Sequence, residues 1–428
     1  MDFTEGKIVF WTFENNLSFQ VPLCLQHLGP TKYIDVDTTN PKDYNFCFLN
    51  AWSIYDIKKL VVSQSNNIER IISNDIFLLF DCVHSIIETF NELNAEGQKQ
   101  KDFYNLHLIE KYCNIEKTKI LIYQDEDYIK NNCLDEEDKK YSGLLTEIPY
   151  YLSYTCWSNK TINHLEKNNK FTCLLGKSIR PSRAYLVSYL YYYNLDKDII
   201  ITKYPVKKYN KSSFINELIN DHSKSQHTTE EFKSFILNDI LKTNDVKFLD
   251  FVKQHCGRIF EPRMLKSDEH EKKEDIFYAR RYNHHKPRTI SNLKFVVNDQ
   301  QIKPELLQSY IDITTESMYN TVHFTEKTFK PILAGIPFIP VTSIDFVKYF
   351  KKLGYEPYTF VDYSHCNDGD VSTQMYKIVN QISLLKNENL QLLIEDEKSV
   401  IEHNKNVMIK TQNQLGKILI DKTYGKIT

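Results

Sequence analysis

Paired cysteines are missing from this 428-residue chain. Its nine cysteines are scattered, none closer to another than Cys156 is to Cys173, and no CxxC occurs. Neither a zinc ribbon nor a redox pair is therefore encoded, and an odd, dispersed set suits a reducing compartment. Glycine and proline are scarce, 11 and 13, where an average chain of this length carries about 30 glycines. That excludes collagen-like sequence and long flexible linkers. Excess charge of one sign is also absent: 54 Lys+Arg stand against 56 Asp+Glu. No global field draws the chain to nucleic acid or to an anionic membrane, although this balance does not speak to a local basic cleft. The longest apolar stretch, Ile332–Val341, contains two prolines and is far too short to span a bilayer. The amino-terminal MDFTEGKIVFWTF has early acidic residues and no long apolar core, so it does not read as a signal peptide. These features together point to a soluble cytoplasmic protein.

What is present is a globular composition, 41% hydrophobic and 26% charged, long enough for two domains or three. Short apolar runs alternate with helical periodicity. Lys7–Phe13, Asn45–Leu49, Asp75–Phe80 and Lys119–Tyr123 read as strands, with a helix over Ser53–Ile72. A second series follows: strands at 171–176, 198–202, 294–297, 310–314 and 336–342, and helices at 182–194, 325–335 and 343–354. In the last of these, Ser343 is the expected cap and Gly354 the stop. From Val371 onward the chain reads as helical. Continuous apolar runs bounded by polar residues suit parallel strands covered on both faces. The expected fold class is thus α/β, with two Rossmann-like domains facing each other across a cleft. Residues 1–165 form the first and 166–400 the second, with 401–428 a helical segment packing back on the first. Open sheets of this kind bind ligands at the carboxyl ends of their strands.

Two segments carry the chemistry. In Ile311–Val341 (IDITTESMYNTVHFTEKTFKPILAGIPFIPV), Thr325 can cap a helix whose first turn holds Glu326 and Lys327. Free N–H groups and the positive dipole end would make that turn an anion site, with Lys327 adding a charge for phosphate and Glu326 an acceptor for a ribose diol. Pro331 should kink or shorten the helix and Gly335 end it. The same residues also fit an ordinary capped amphipathic helix. In Phe171–Leu190 (FTCLLGKSIRPSRAYLVSYL), a strand runs into a loop carrying Lys177, Arg180 and Arg183. Arginines at such a turn can clamp a diphosphate bidentately; a solvated basic loop is the plainer alternative.

FTEKTFKPILAGIPFI resembles the nucleotide-binding motif of GT-B glycosyltransferases. It is similar to the TEK motif of α-1,3-fucosyltransferases and closer to related viral and microbial enzymes. The strand–RPxR–helix resembles the opening of the donor-binding half in the same group. The resemblance implies a GT-B fold and roles for Glu326 and Lys327 on the ribose and diphosphate of a nucleotide sugar (UDP-, GDP- or dTDP-linked). Where fucosyltransferases carry an ENS triplet, this chain reads Thr315-Glu316-Ser317, which places Glu316 beside Thr325 among the expected donor-site residues. The implied reaction moves a sugar from that donor to a hydroxyl on a glycan or another acceptor, with inversion and without metal or other cofactor.

Inverting transfer needs a base for the acceptor hydroxyl. Asp125 and Glu126 follow a strand's carboxyl end, and Glu14 follows the first strand; each could also be a solvated turn residue. Of three DxD patterns (Asp35–Asp37, Asp125–Asp127, Asp368–Asp370), roughly one or two are expected by chance, and none is read as a metal site. His222, His227, His284 and His285 have no metal-ligand spacing. Arg258, Arg263, Arg280, Arg281, Lys286 and Arg288, interleaved with aromatics, could meet nucleic acid, but Asp268, Glu269, Glu271, Glu274 and Asp275 offset much of that charge. Two alternatives follow: a transferase acting on DNA, and a non-catalytic binding or structural module.

Overall fold

The computed structural model describes residues 6–13, 16, 18–19, 21, 25, 28–34, 37–51, 54–82, 106–122, 125–132, 134, 136–148, 165–174, 186, 190, 193–195, 198–202, 302, 304–316, 324–342, 345–367 and 371–425. The described residues fall into two compact units. One holds those up to Asn159 and those from Ile409 onward; the other holds those of Lys160–His284 and Gln301–Met408.

The first unit is built on a six-stranded, wholly parallel sheet: β1 (Ile8–Thr12), β2 (Thr31–Tyr33), β3 (Tyr44–Ala51), β4 (Phe77–Cys82), β5 (Thr118–Ile122) and β6 (Leu145–Glu147), in spatial order β2-β1-β3-β4-β5-β6. Its helices include α1 (Ile54–Ser63), α2 (Ser65–Ser73), α3 (His107–Tyr112) and α4 (Glu126–Asn132). Phe77, Leu78, Leu79 and Phe80 are all buried, as a strand covered on both faces requires. The single helix expected over Ser53–Ile72 is two, broken at Gln64, whose own backbone geometry (φ −111°, ψ 16°) is not helical. β2 and β6 were not legible in the sequence, because each is three residues at a sheet edge and neither carries an apolar run.

The second unit carries a four-stranded parallel sheet: β7 (Asn169–Leu174), β8 (Ile199–Thr202), β9 (Ser309–Thr315) and β10 (Phe338–Val341), in order β10-β9-β7-β8. Helices α5 (Pro304–Leu307), α6 (Glu326–Ala334), α7 (Phe346–Lys352), α8 (Val371–Leu385), α9 (Leu390–Asp396) and α10 (Lys398–Asn413) follow in sequence, the last of them running past Met408, where this unit ends. An aromatic cluster packs the sheet against these helices: Phe324 meets Phe346 at 4.9 Å and Phe350 meets Tyr355 at 4.9 Å between ring centroids. α7 begins later than the Ser343 cap implies. Asp345 is its N-cap, in the left-handed region at φ 67° and without a side-chain capping bond. His365, 1% exposed, ties the edge strand to the turn at 363–367: Nε2 lies 2.8 Å from the Pro340 carbonyl and Nδ1 2.7 Å from that of Asp362. The strand expected at 294–297 and the helix at 182–194 lie outside the described residues, except Leu186, Leu190 and the turn residues Tyr193 and Asn194.

The last helix, α11 (Leu415–Thr423), belongs to the first unit. Just beyond it, Tyr424 donates its hydroxyl to the Asn45 carbonyl (3.1 Å) and accepts from the Asn45 N–H (3.0 Å), with its ring against Tyr44, Phe46 and Phe77. Asn45 is 4% exposed, and its side chain accepts from Trp11 Nε1 and donates to the carbonyls of Asn40 and Asp43. A buried amide is tolerable only when satisfied in this way. This seal lies at the amino end of β3 and leaves the carboxyl end of the sheet to other uses.

Candidate functional site

Strand order locates the functional end of each sheet. In the second unit the chain leaves β7 for β8 on one side and then takes β9 and β10 on the other. The order therefore reverses between β7 and β9, and at such a switch point open α/β sheets bind ligands beside the carboxyl ends of the strands. The register pairs Phe171 with Ile311 and Thr172 with Asp312, so Leu174 and Thr315, where the strands end, are close neighbours. The Arg180/Arg183 loop follows the first of these ends and Glu316 the second. In the first unit the same topology sets the switch between β1 and β3.

Glu316 and the start of α6 are both among the described residues. Phe324, in the position before the cap, packs edge-on against Phe329 at 6.2 Å, the hydrophobic staple of a helix start. Thr325 is the N-cap of α6, and its hydroxyl accepts from the Lys327 N–H at 3.3 Å. A capping box would place Glu or Gln three residues on, but Thr328 stands there. The carboxylate comes instead from the end of β9. Glu316, 2% exposed, accepts from the Thr325 N–H (3.0 Å) and hydroxyl (2.5 Å), and from the Thr328 N–H (3.2 Å) and hydroxyl (2.6 Å). Three of the first four N–H groups of α6 are thus satisfied from within the protein. This corrects one expectation: three of the turn's four N–H groups are not free for an external anion, because the Glu316 carboxylate and the Thr325 hydroxyl already hold them.

Glu316, expected to touch a donor, therefore faces inward and holds the turn. Thr325 is likewise buried. Lys327 is half-buried and reaches back, its ammonium 3.2 Å from the Thr325 hydroxyl. Glu326 opens the helix. Pro331 lies inside α6 and does not end it: the helix runs on to Ala334 and stops at Gly335 in the left-handed region (φ 68°). Arg180 and Arg183 lie outside the described residues.

The acidic turn after β5 is also committed to structure. Asp125 Oδ1 accepts from the Asp127 N–H at 3.0 Å, capping α4. Glu126 and Glu147 lock reciprocally, each carboxylate accepting the other's backbone N–H (3.2 and 3.1 Å). Glu126 further pairs with Lys130, and Lys422 lies 3.9 Å away. β5 stands two strands from the β1/β3 switch. Glu14 follows β1 directly but lies outside the described residues.

Asp312 belongs to neither motif. It sits in the middle of β9, 4% exposed, with Oδ2 accepting from the Thr314 hydroxyl (2.6 Å) while Oδ1 lacks a hydrogen-bond partner. Burial pushes its carboxyl up to about 7. The Thr314 hydroxyl, the Thr172 hydroxyl across the strand pair and the Ile313 N–H pull the other way. No hydrogen bond to Thr172 is completed, for its Oγ1 is also without a partner. The signal was available: one carboxylate within the apolar run YIDIT.

Among the described residues, no group of His, Cys, Asp or Glu could hold a metal ion, and no helix is long and apolar enough to cross a membrane. No protein-family model and no curated protein matches the chain. Among solved structures, an S. aureus MnaA–UDP co-structure aligns over 99% of this chain and 98% of that one, at 10% identity and a TM-score of 0.35. Likeness at that level assigns no function.

Proposed function

We propose that the chain is a nucleotide-sugar-dependent glycosyltransferase of the GT-B type, its two α/β halves opposed across a cleft. On this reading residues 166–400 bind the donor, residues 1–165 bind the acceptor and 401–428 pack back on the acceptor half. The observation that carries it is the strand order β10-β9-β7-β8. Both segments that resemble a donor site leave the carboxyl ends of the two strands flanking a switch point, where open α/β sheets bind nucleotides. A solvated basic loop and an ordinary capped helix give no reason for both segments to follow those two strand ends.

Arg180, Arg183 and Lys327 take the diphosphate, and Glu326 takes the ribose. A carboxylate removes the acceptor proton as the hydroxyl oxygen attacks the anomeric carbon. The bond from that carbon to the diphosphate oxygen breaks, and the leaving group departs with its negative charge. Cationic side chains placed where that charge develops stabilise the transition state without a metal. Glu14 is the base this account favours, because it follows β1 at the other switch point and because Asp125 and Glu126 already hold the β5 turn together.

The test is a thermal-shift screen against UDP-, GDP-, dTDP- and CMP-sugars, since a ligand that binds the native state raises its apparent stability. Transfer to glycan and duplex-DNA acceptors is then assayed with and without EDTA. One nucleotide should stabilise the protein, and transfer should survive EDTA. Loss of transfer with EDTA and rescue by manganese would overturn the metal-independent mechanism.

A further inference from the structure

The start of α6 contains a chain of three polar groups that ordinary helix capping does not need. Glu316 Oε2 receives the Thr325 hydroxyl at 2.5 Å, and that hydroxyl in turn receives the Lys327 ammonium at 3.2 Å. The carboxylate is 2% exposed, Thr325 is buried, and Lys327 is half-buried. A fixed negative charge at a helix N-terminus is favourable in its own right, and burial strengthens its hold on donors.

We infer that Glu316 and Thr325 are positioning residues for Lys327. The carboxylate is the permanent internal anion of the helix start, and the threonine hydroxyl relays its hold to the lysine. α6 therefore meets a phosphate with the Lys327 ammonium and not with its backbone N–H groups. The part that concerns phosphate rests on the function proposed above; the internal anion does not.

Two measurements separate these parts. Glu316→Ala removes the carboxylate and leaves the Thr325 and Thr328 N–H groups facing a small cavity. Its melting temperature should fall and should recover selectively with added formate, which restores an anion to the seat; wild type should not respond. Equal response of the two proteins to formate, or none in either, would overturn the internal-anion assignment. Thr325→Val keeps the Glu316 bonds to both N–H groups and removes the hydroxyl's own three, to Glu316 Oε2, the Lys327 N–H and the Lys327 ammonium. With inorganic pyrophosphate as probe, its dissociation constant should rise about tenfold, the order of one hydrogen bond to a charged group. Thr325→Ser should restore binding to the wild-type value. Unchanged pyrophosphate affinity in Thr325→Val would overturn the positioning role. If wild type itself binds no pyrophosphate, the diphosphate reading of the site fails, and the formate response still decides the nature of the helix start.

Discussion

Asp312→Asn should make the second unit more stable, and increasingly so as pH rises. The carboxyl lies in the centre of a four-stranded sheet with one oxygen unpartnered, and burial lifts it from 3.8 to about 7. Below pH 4 both folded and unfolded chains carry the proton, and the group has no effect. Between pH 4 and 7 the unfolded chain releases a proton that the native chain retains, so wild-type stability declines as pH rises. Above 7 the decline ends. At about 1.4 kcal/mol per tenfold change, the full difference is at most about 4 kcal/mol. Asparagine has no proton to lose, so the variant's advantage over wild type should grow from pH 4.5 to 8. Hydrogen exchange of the β7 and β9 peptides measures this locally, and the intrinsic pH dependence of exchange cancels between the two proteins. An advantage that is constant with pH, or a wild type that gains stability toward pH 8 relative to the variant, would refute the reasoning.

Gly29→Ala should destabilise the first unit by about 1–3 kcal/mol, because a Cβ there would stand 2.0 Å from the Ile8 carbonyl oxygen; urea unfolding checks this. Tyr424→Phe leaves the buried Asn45 N–H and carbonyl without their partner and should cost about 1–3 kcal/mol, seen as faster exchange at the amino end of β3. Glu14→Gln should lower kcat by about a hundredfold or more, and Glu126→Gln by far less. The reverse order in a transfer assay would move the base to the β5 turn.

Much of the architecture was legible from hydrophobic patterning. The runs at 45–49, 75–80 and 119–123 are central strands because parallel strands buried on both faces admit few polar residues. The edges were not legible: Thr31–Tyr33 and Leu145–Glu147 have one neighbour each and no compositional demand. At the site, the Thr325 cap and Gly335 stop follow from local chemistry and can be read locally. Glu316 cannot be read that way. It acts across eight residues of intervening chain, and only the fold reveals that its carboxylate replaces the missing capping-box glutamate and takes N–H groups of the helix start that an outside anion would need. Asp125 and Glu126 make the same point, for a turn of three acids resembles a catalytic cluster until Glu147 is seen to lock it.

The central claim is a diphosphate pocket where β7 and β9 end. Hydrogen-exchange footprinting with the nucleotide sugar that most raises thermal stability tests it most directly. Protection should appear in the peptides that follow Leu174 and in those from Glu316 to Lys330, and should be lost in an Arg183→Ala, Lys327→Ala double variant. Protection confined to other segments, or unchanged in that variant, would contradict it.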